Sequence, residues 1–226
     1  MRKMHEAACV QAMKARLISA VTRSLLLISC VTPCLPSAAS DQAGELPVKS
    51  LLEMRRQNVV IQKWDLSCGA AALATLLKYQ HGESVTEKEI ALALMKREEY
   101  IKNPQLVQSR EGFSLLDLKR NVDARGYLGN GFGKLELKDL MEKAPLIVPI
   151  RTNGYNHFVI FRGSYGDRVV LADPAWGNRT MLVEEFMEKW IDYPTLGRIG
   201  FAVERRGGEA PPNQLRLRLV DFTMLR

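Results

Sequence analysis

Residues 67–79 read SCGAAALATLLKY, and the reading of this stretch decides the architecture. Ala and Leu are strong helix formers, so the composition predicts a helix over residues 68–79, ended by His81-Gly82. The run is apolar on nearly every side, as expected of a helix buried in the middle of a domain. The first turn of a helix carries free backbone N–H groups and the positive end of the dipole. Both favour a thiolate, the nucleophilic form of cysteine, and Cys68 stands at that turn. Gly69 follows it, and without a Cβ it would let a substrate backbone approach closely.

Upstream, Val59-Val60-Ile61 predicts a short strand entering a loop over residues 62–67. Gln62 lies in that loop, where its side-chain amide and the backbone N–H of Cys68 could form an oxyanion hole. Downstream, Thr86 and Glu89 form a capping box ahead of a helix over 87–97. Ser114 is the N-cap of a helix over 115–124, closed by Gly126. Residues 126–133 are glycine-rich but lack the strand–loop–helix setting and Lys-Ser/Thr ending of a phosphate loop, so they read as a plain loop. A short helix over 136–143 leads into strands at 146–150, 157–162 and 168–172, which are rich in Val, Ile and Phe. A helix over 183–190 and a strand over 199–204 complete the pattern. Helices first and an antiparallel sheet second is an α+β arrangement, with the Cys68 helix packed on the sheet.

Beyond residue 40 the sequence holds two histidines. His81 lies in a polar helix end and reads as a surface residue. His157 is then the base available to a cysteine nucleophile. A three-residue turn, Ser164-Tyr165-Gly166, would pair Gly163 with Asp167 and set His157 opposite Asp173. Directly opposite residues have Cβ atoms about 5 Å apart and share a face, so Asp173 can orient the imidazole. One cysteine and two separated histidines offer no metal-ligand spacing, and no cofactor motif is present.

The first forty residues read differently. Lys14, Arg16 and Arg23 precede an apolar run from Leu25 to Leu35, followed by Ser37-Ala38-Ala39-Ser40. This is the order of a signal peptide, with Met13 as an alternative start and the periplasm as the expected compartment. Leu27-Ile28-Ser29-Cys30 also has the form of a lipoprotein cleavage box. Cys9, Cys30 and Cys34 all fall in this leader, which leaves Cys68 without a disulfide partner. Residues 1–39 carry five Lys/Arg and one acidic residue; taking them from the chain's 32 basic and 25 acidic residues leaves 27 and 24, a net charge of +3. That modest charge, with no basic stripe of interleaved aromatics, argues against a nucleic-acid partner. The apolar run falls short of a membrane span. The expected organisation is a leader over 1–40, a partly helical lead-in over 41–57, a domain over 58–204, and a linker and tail over 205–226. The Gly207-Gly208 and Pro211-Pro212 pairs set off that tail, in which Leu215, Leu217 and Leu219 alternate with arginine as in one further strand or a partner-binding segment.

The ordered set of Gln62, Ser67-Cys68-Gly69 with its Ala-rich helix, His157-Phe158-Val159-Ile160, Leu171-Ala172-Asp173-Pro174, Gly177 and the Phe186/Trp190 pair resembles the bacteriocin-processing, double-glycine cysteine peptidases, a papain-like family. The resemblance covers residues 58–204. Most members are N-terminal domains of peptide-exporting transporters. This sequence, which shows neither a membrane bundle nor an ATPase, is more similar to the exported stand-alone members of functional-amyloid secretion systems (FapD-like proteins). The resemblance implies a papain-like fold, a Cys–His–Asp triad of Cys68, His157 and Asp173, and cleavage of a polypeptide after small residues such as Gly-Gly. Amyloid or secretion-system components would then be the partners. The family often has Asp before the nucleophile where this chain has Ser67, and Asp65 is the nearby carboxylate that could replace it. Two other readings stay open on the residues alone: an acyl-transferring enzyme with the same nucleophile, and a non-catalytic chaperone or adaptor for an exported polypeptide.

Overall fold

The computed structural model describes residues 49–224, so the expected leader lies outside the described residues. In chain order the elements are α1 (Leu51–Arg56), α2 (Cys68–Tyr79), α3 (Glu87–Met95), α4 (Glu98–Lys102), α5 (Gln105–Ser109), α6 (Leu115–Ala124), β1 (Tyr127–Phe132), α7 (Leu137–Lys143), β2 (Leu146–Thr152), β3 (Tyr155–Tyr165), β4 (Arg168–Asp173), β5 (Gly177–Leu182), α8 (Val183–Lys189), β6 (Asp192–Tyr193), β7 (Gly197–Arg198), β8 (Gly200–Arg205) and α9 (Leu219–Met224). The α+β class expected from the sequence is the class observed. Six strands form an antiparallel sheet in the order β1-β8-β2-β3-β4-β5, and β6 and β7 form a separate two-stranded ribbon.

Helix α2 is the axis of the molecule: every residue from Cys68 to Leu77 is buried. Alanines at 70, 71, 72 and 74 keep the helix narrow, so neighbours can close around it. Leu73, Leu76 and Leu77 share one core with Ile90 and Leu94 of α3, Leu118 and Val122 of α6, and Ile147, Ile160, Phe201 and Val203 of the sheet. The other face of the sheet buries Val148, Val159, Phe161 and Leu171 under α7 and α8, where Phe186 stacks on Trp190 at 5.6 Å. The capping boxes at Thr86/Glu89 and Ser114/Asp117 are both formed. Among the described residues no helix is long and apolar enough to cross a membrane.

Several expectations are corrected. Residues 59–61 form no strand; they run extended against α2, with the Val60 N–H donating to Thr75 Oγ1. Residues 127–132 are strand β1 rather than a loop. Gly129 serves packing there, since a Cβ on it would meet Val122 Cγ2 at 2.8 Å and Phe201 Cζ at 2.9 Å. His81 is buried, with a ring nitrogen 3.0 Å from the Val203 carbonyl, because the helix end folds onto β8. Burial holds its pKa below the ordinary histidine value, against the pull of that hydrogen bond. The β3–β4 hairpin turns through two residues, Gly166 and Asp167, not three, and Gly166 takes the positive φ of +60°. A β-bulge at Arg162 then shifts the register, so Phe161 pairs with Leu171 and Ile160 with Ala172. Continuing that register puts Val159, not His157, across from Asp173.

Between residues 206 and 224 the tail forms no strand. It returns to the domain, with the Gln214 N–H donating to the Tyr79 carbonyl, Leu215 fully buried in the core, and α9 set against β4 through Phe222. The Arg162 guanidinium, extended from the bulge, is buried beneath it. It donates to the Leu215 carbonyl at 3.0 Å, to Asp221 Oδ2 at 3.0 Å and to Asn178 Oδ1 at 3.1 Å. Asn178 Nδ2 in turn donates to backbone carbonyls between Met54 and Gln57. One buried arginine thus ties the end of α1, the sheet and the tail.

Candidate active site

Cys68 is the first residue of α2, and its thiol is free and only 6% exposed. The N-cap residue Ser67 makes no side-chain cap. Its hydroxyl turns back to the loop, 2.7 Å from the Trp64 carbonyl and 2.5 Å from Glu87 Oε1. The first-turn N–H groups beside the sulfur are therefore not consumed by the cap, as stabilising an incoming negative charge requires. The loop reaches this point through Leu66 at φ +65°, a left-handed conformation that costs a side-chain-bearing residue roughly 1–2 kcal/mol. Gly69 is buried, and a Cβ on it would meet the Phe158 ring at 3.3 Å and Leu118 at 3.8 Å. Its smallness lets α2 pack on β3, which corrects the expectation that it faces substrate.

Gln62 lies in the same loop, its backbone N–H bonded to the Pro174 carbonyl at 2.9 Å. That bond ties the Cys68 loop to the residue after Asp173. The Gln62 side chain donates through Nε2 to the Trp64 carbonyl at 3.3 Å, and its Oε1 is buried without a partner.

His157 is the third residue of β3, paired with Ile150 of β2, and is 4% exposed. Its Nε2 lies 2.7 Å from Asp173 Oδ1, and the Cys68 side chain is the other group whose hydrogen bonding and charge act on the ring. With Nε2 committed to Asp173, Nδ1 is the nitrogen left for sulfur. Burial works against a charged ring, but the hydrogen bonds to Asp173 and Cys68, with their charges, outweigh it and hold the His157 pKa up at about 9. The fully buried Asp173 ends β4. Oδ1 also accepts from the Ala175 N–H at 2.8 Å, and Oδ2 accepts from Arg179 Nε at 2.9 Å and Nη2 at 2.8 Å. Burial alone would raise its pKa, yet the bond and charge of His157, the Arg179 charge and the Ala175 N–H hold it below the ordinary carboxylate range.

Cys68, His157 and Asp173, all named from the sequence, thus form one continuous chain of side-chain contacts. The register argument for Asp173 fails in its pairing but keeps the face. A slip of two residues along β3 leaves side-chain parity unchanged, so His157 and Asp173 are diagonal neighbours on one side of the sheet. Two residues of the site were missed. Arg179 lies on β5, with Asp173 paired to Gly177 and Leu171 to Arg179, so a tight turn after Asp173-Pro174 was the signal that could have found it. Glu87 comes from the first turn of α3. It is buried and accepts from the Lys63 N–H at 3.0 and 3.1 Å as well as facing Ser67. Asp65, the carboxylate expected to replace the missing Asp before Cys68, is exposed and makes no hydrogen bond or ion pair among the described residues.

The "Probable functional amyloid protease FapD" of Pseudomonas aeruginosa is 36% identical over 154 residues, 67% of this chain. The match spans 66% of that curated relative, just under two thirds of its length. Among solved structures, a double-glycine-motif protease domain from an AMS/PCAT transporter, crystallised with its leader peptide, superposes with a TM-score of 0.51 at 23% identity. It covers 65% of this chain and 90% of that one. The peptidase domain of Streptococcus ComA gives 0.52 at 17% identity, covering 66% and 98%. At these identities the two structures speak for the fold, that of a papain-like peptidase domain. Residues 56–196 match the Peptidase C39 family. That stretch runs from the end of α1, through the Cys68 loop and the His157 and Asp173 strands, to the turn of the β6–β7 ribbon, and the chain belongs to the peptidase C39 family.

Proposed function

We propose that this protein is an exported cysteine peptidase that cuts a secreted polypeptide after small residues such as Gly-Gly, in the biogenesis of a functional amyloid. The observation that carries the chemistry is the contact chain from the Cys68 thiol through the His157 ring to Asp173 at the mouth of a buried helix. The FapD relative supports the amyloid setting. The low exposure of both Cys68 and His157 supports small residues at the cleaved bond, because a bulky side chain there would hold the carbonyl away from sulfur. Trp64, Tyr155 and Trp176 are all exposed, each within four residues of Cys68, His157 or Asp173, and suit the flanks of an extended peptide.

With its pKa at about 9, His157 carries a proton at neutral pH. The sulfur adds to the scissile carbonyl, and the oxyanion takes the Cys68 N–H and the Gln62 amide, whose 3.3 Å bond to Trp64 is long enough to be displaced. The tetrahedral species collapses, the C–N bond breaks, and His157 passes its proton to the leaving amine. Water, deprotonated by the neutral ring, then hydrolyses the thioester, releasing a carboxylic acid and restoring the thiol. Asp173 holds the ring in register throughout.

The test compares wild-type protein with Cys68→Ala on a secreted polypeptide containing a Gly-Gly site, reading new N-termini and product masses. Cleavage to a free carboxyl by wild type alone is expected. Equal cleavage by the variant would end the peptidase reading, and an amide product would favour acyl transfer.

A further inference from the structure

We propose that Glu87 is a positioning residue that sets the Cys68 loop and, through it, the oxyanion hole. The inference rests on the peptidase reading. The Cys68 loop has to do two opposed things. It must present Gln62 and the Cys68 N–H to the same point, and it must leave the first-turn N–H groups of α2 uncapped, although Ser67 occupies the N-cap position from which serine ordinarily accepts them. Glu87 resolves this conflict. Its buried carboxylate faces the loop at both ends, receiving the Lys63 N–H next to Gln62 and standing 2.5 Å from the Ser67 hydroxyl next to Cys68. The hydroxyl is thereby drawn away from the helix. Between these anchors Leu66 is kept left-handed, a conformation that persists only where the surroundings over-determine it.

The loop is also propped by Gly112, which packs against the Leu66 carbonyl so closely that a Cβ would lie 2.9 Å from that oxygen. Glu87 reaches the loop from α3, an element separate from the strands that carry His157 and Asp173. It therefore anchors the loop from outside the segment that carries Cys68. Glu87 does not touch the Cys68–His157–Asp173 chain, so its loss displaces the hole while leaving nucleophile and base in contact.

The test is kinetic, on a fluorogenic peptide with Gly-Gly before the scissile amide. Wild type and Cys68→Ala are run alongside, so that failure of the peptidase reading shows in that pair and failure of the present proposal in the Glu87 variants. Glu87→Gln keeps the volume but sets an amide where the carboxylate accepted. It should lower kcat by about 100-fold, the scale of a misplaced catalytic geometry, with KM little changed, the signature of an interaction made in the transition state. Iodoacetamide, whose reaction needs no oxyanion hole, should alkylate Cys68 in this variant at the wild-type rate. Ser67→Ala should reproduce part of the kcat loss, and the double variant should lose no more than Glu87→Gln alone. A wild-type kcat in Glu87→Gln, a change in KM alone, slowed alkylation in proportion to kcat, or losses that multiply in the double variant would overturn the proposal. If Glu87→Gln does not fold, Ser67→Ala decides it: a wild-type kcat there overturns the proposal, and a reduced kcat with normal alkylation supports it.

Discussion

At the scale of single residues, the site is a problem in proton placement. His157 has a folded-state pKa of about 9, above the ordinary value of 6.5. Its contribution to stability is therefore full below about pH 6.5 and is lost as pH rises through about 9. Activity that uses the protonated ring should fall on the same alkaline limb. Asp173→Asn keeps an oxygen that can accept from the ring but removes the negative charge that raises the ring's pKa, so burial pulls it down with less opposition. The alkaline limb of kcat/KM should then move to lower pH, and a limb unmoved from about pH 9 would show that Asp173 does not control the ring. Arg179 acts one step further out. Arg179→Met keeps most of the apolar stem but removes the charge and two hydrogen bonds from Asp173, so the carboxyl's pKa should rise and the acid limb of the profile should shift upward.

At the scale of elements, what was legible in the sequence had local causes. The caps at Thr86 and Ser114 and the apolar composition of α2 are local signals; α3 and α6 start where the caps place them, and α2 starts at Cys68 without a side-chain cap. Thr86→Ala should cost about 1 kcal/mol of stability by removing a cap, and Leu73→Ala, in the fully buried centre of α2, about 2–5 kcal/mol; denaturant melts measure both. What was missed is non-local. Strand β1 is hidden by its glycines, whose smallness has meaning only once Val122 and Phe201 press on Gly129. The Arg162 bulge and the two-residue turn offset the β3–β4 register, and no local pattern announces either. His81 looks polar and exposed until β8 arrives beside it. Cys68 and Asp173 could be named because they occupy a helix start and a strand end that sequence marks, and His157, third in β3, because it was the base available to the thiol. Glu87 and Arg179 could not, because their roles depend on how α3 and β5 fall against the site.

At the scale of the whole molecule, the buried arginine decides how far the folding unit extends. Arg162 bonds the tail at Leu215 and Asp221 and, through Asn178, the end of α1. Breaking one side of a buried ion pair typically costs about 3–5 kcal/mol, so Asp221→Ala should lower the melting temperature clearly. Removal of residues 207–226 should lower it further, because the Leu215 site in the core opens as well; a truncated protein that melts like the full chain would show the tail to be dispensable. The solitary thiol has a consequence of another kind. Among the described residues Cys68 is the only cysteine, so once peroxide has converted it to a sulfenic acid, no resolving cysteine there can capture it as a disulfide. Return of that oxidised form to the thiol would then have to draw on a reductant from outside residues 49–224.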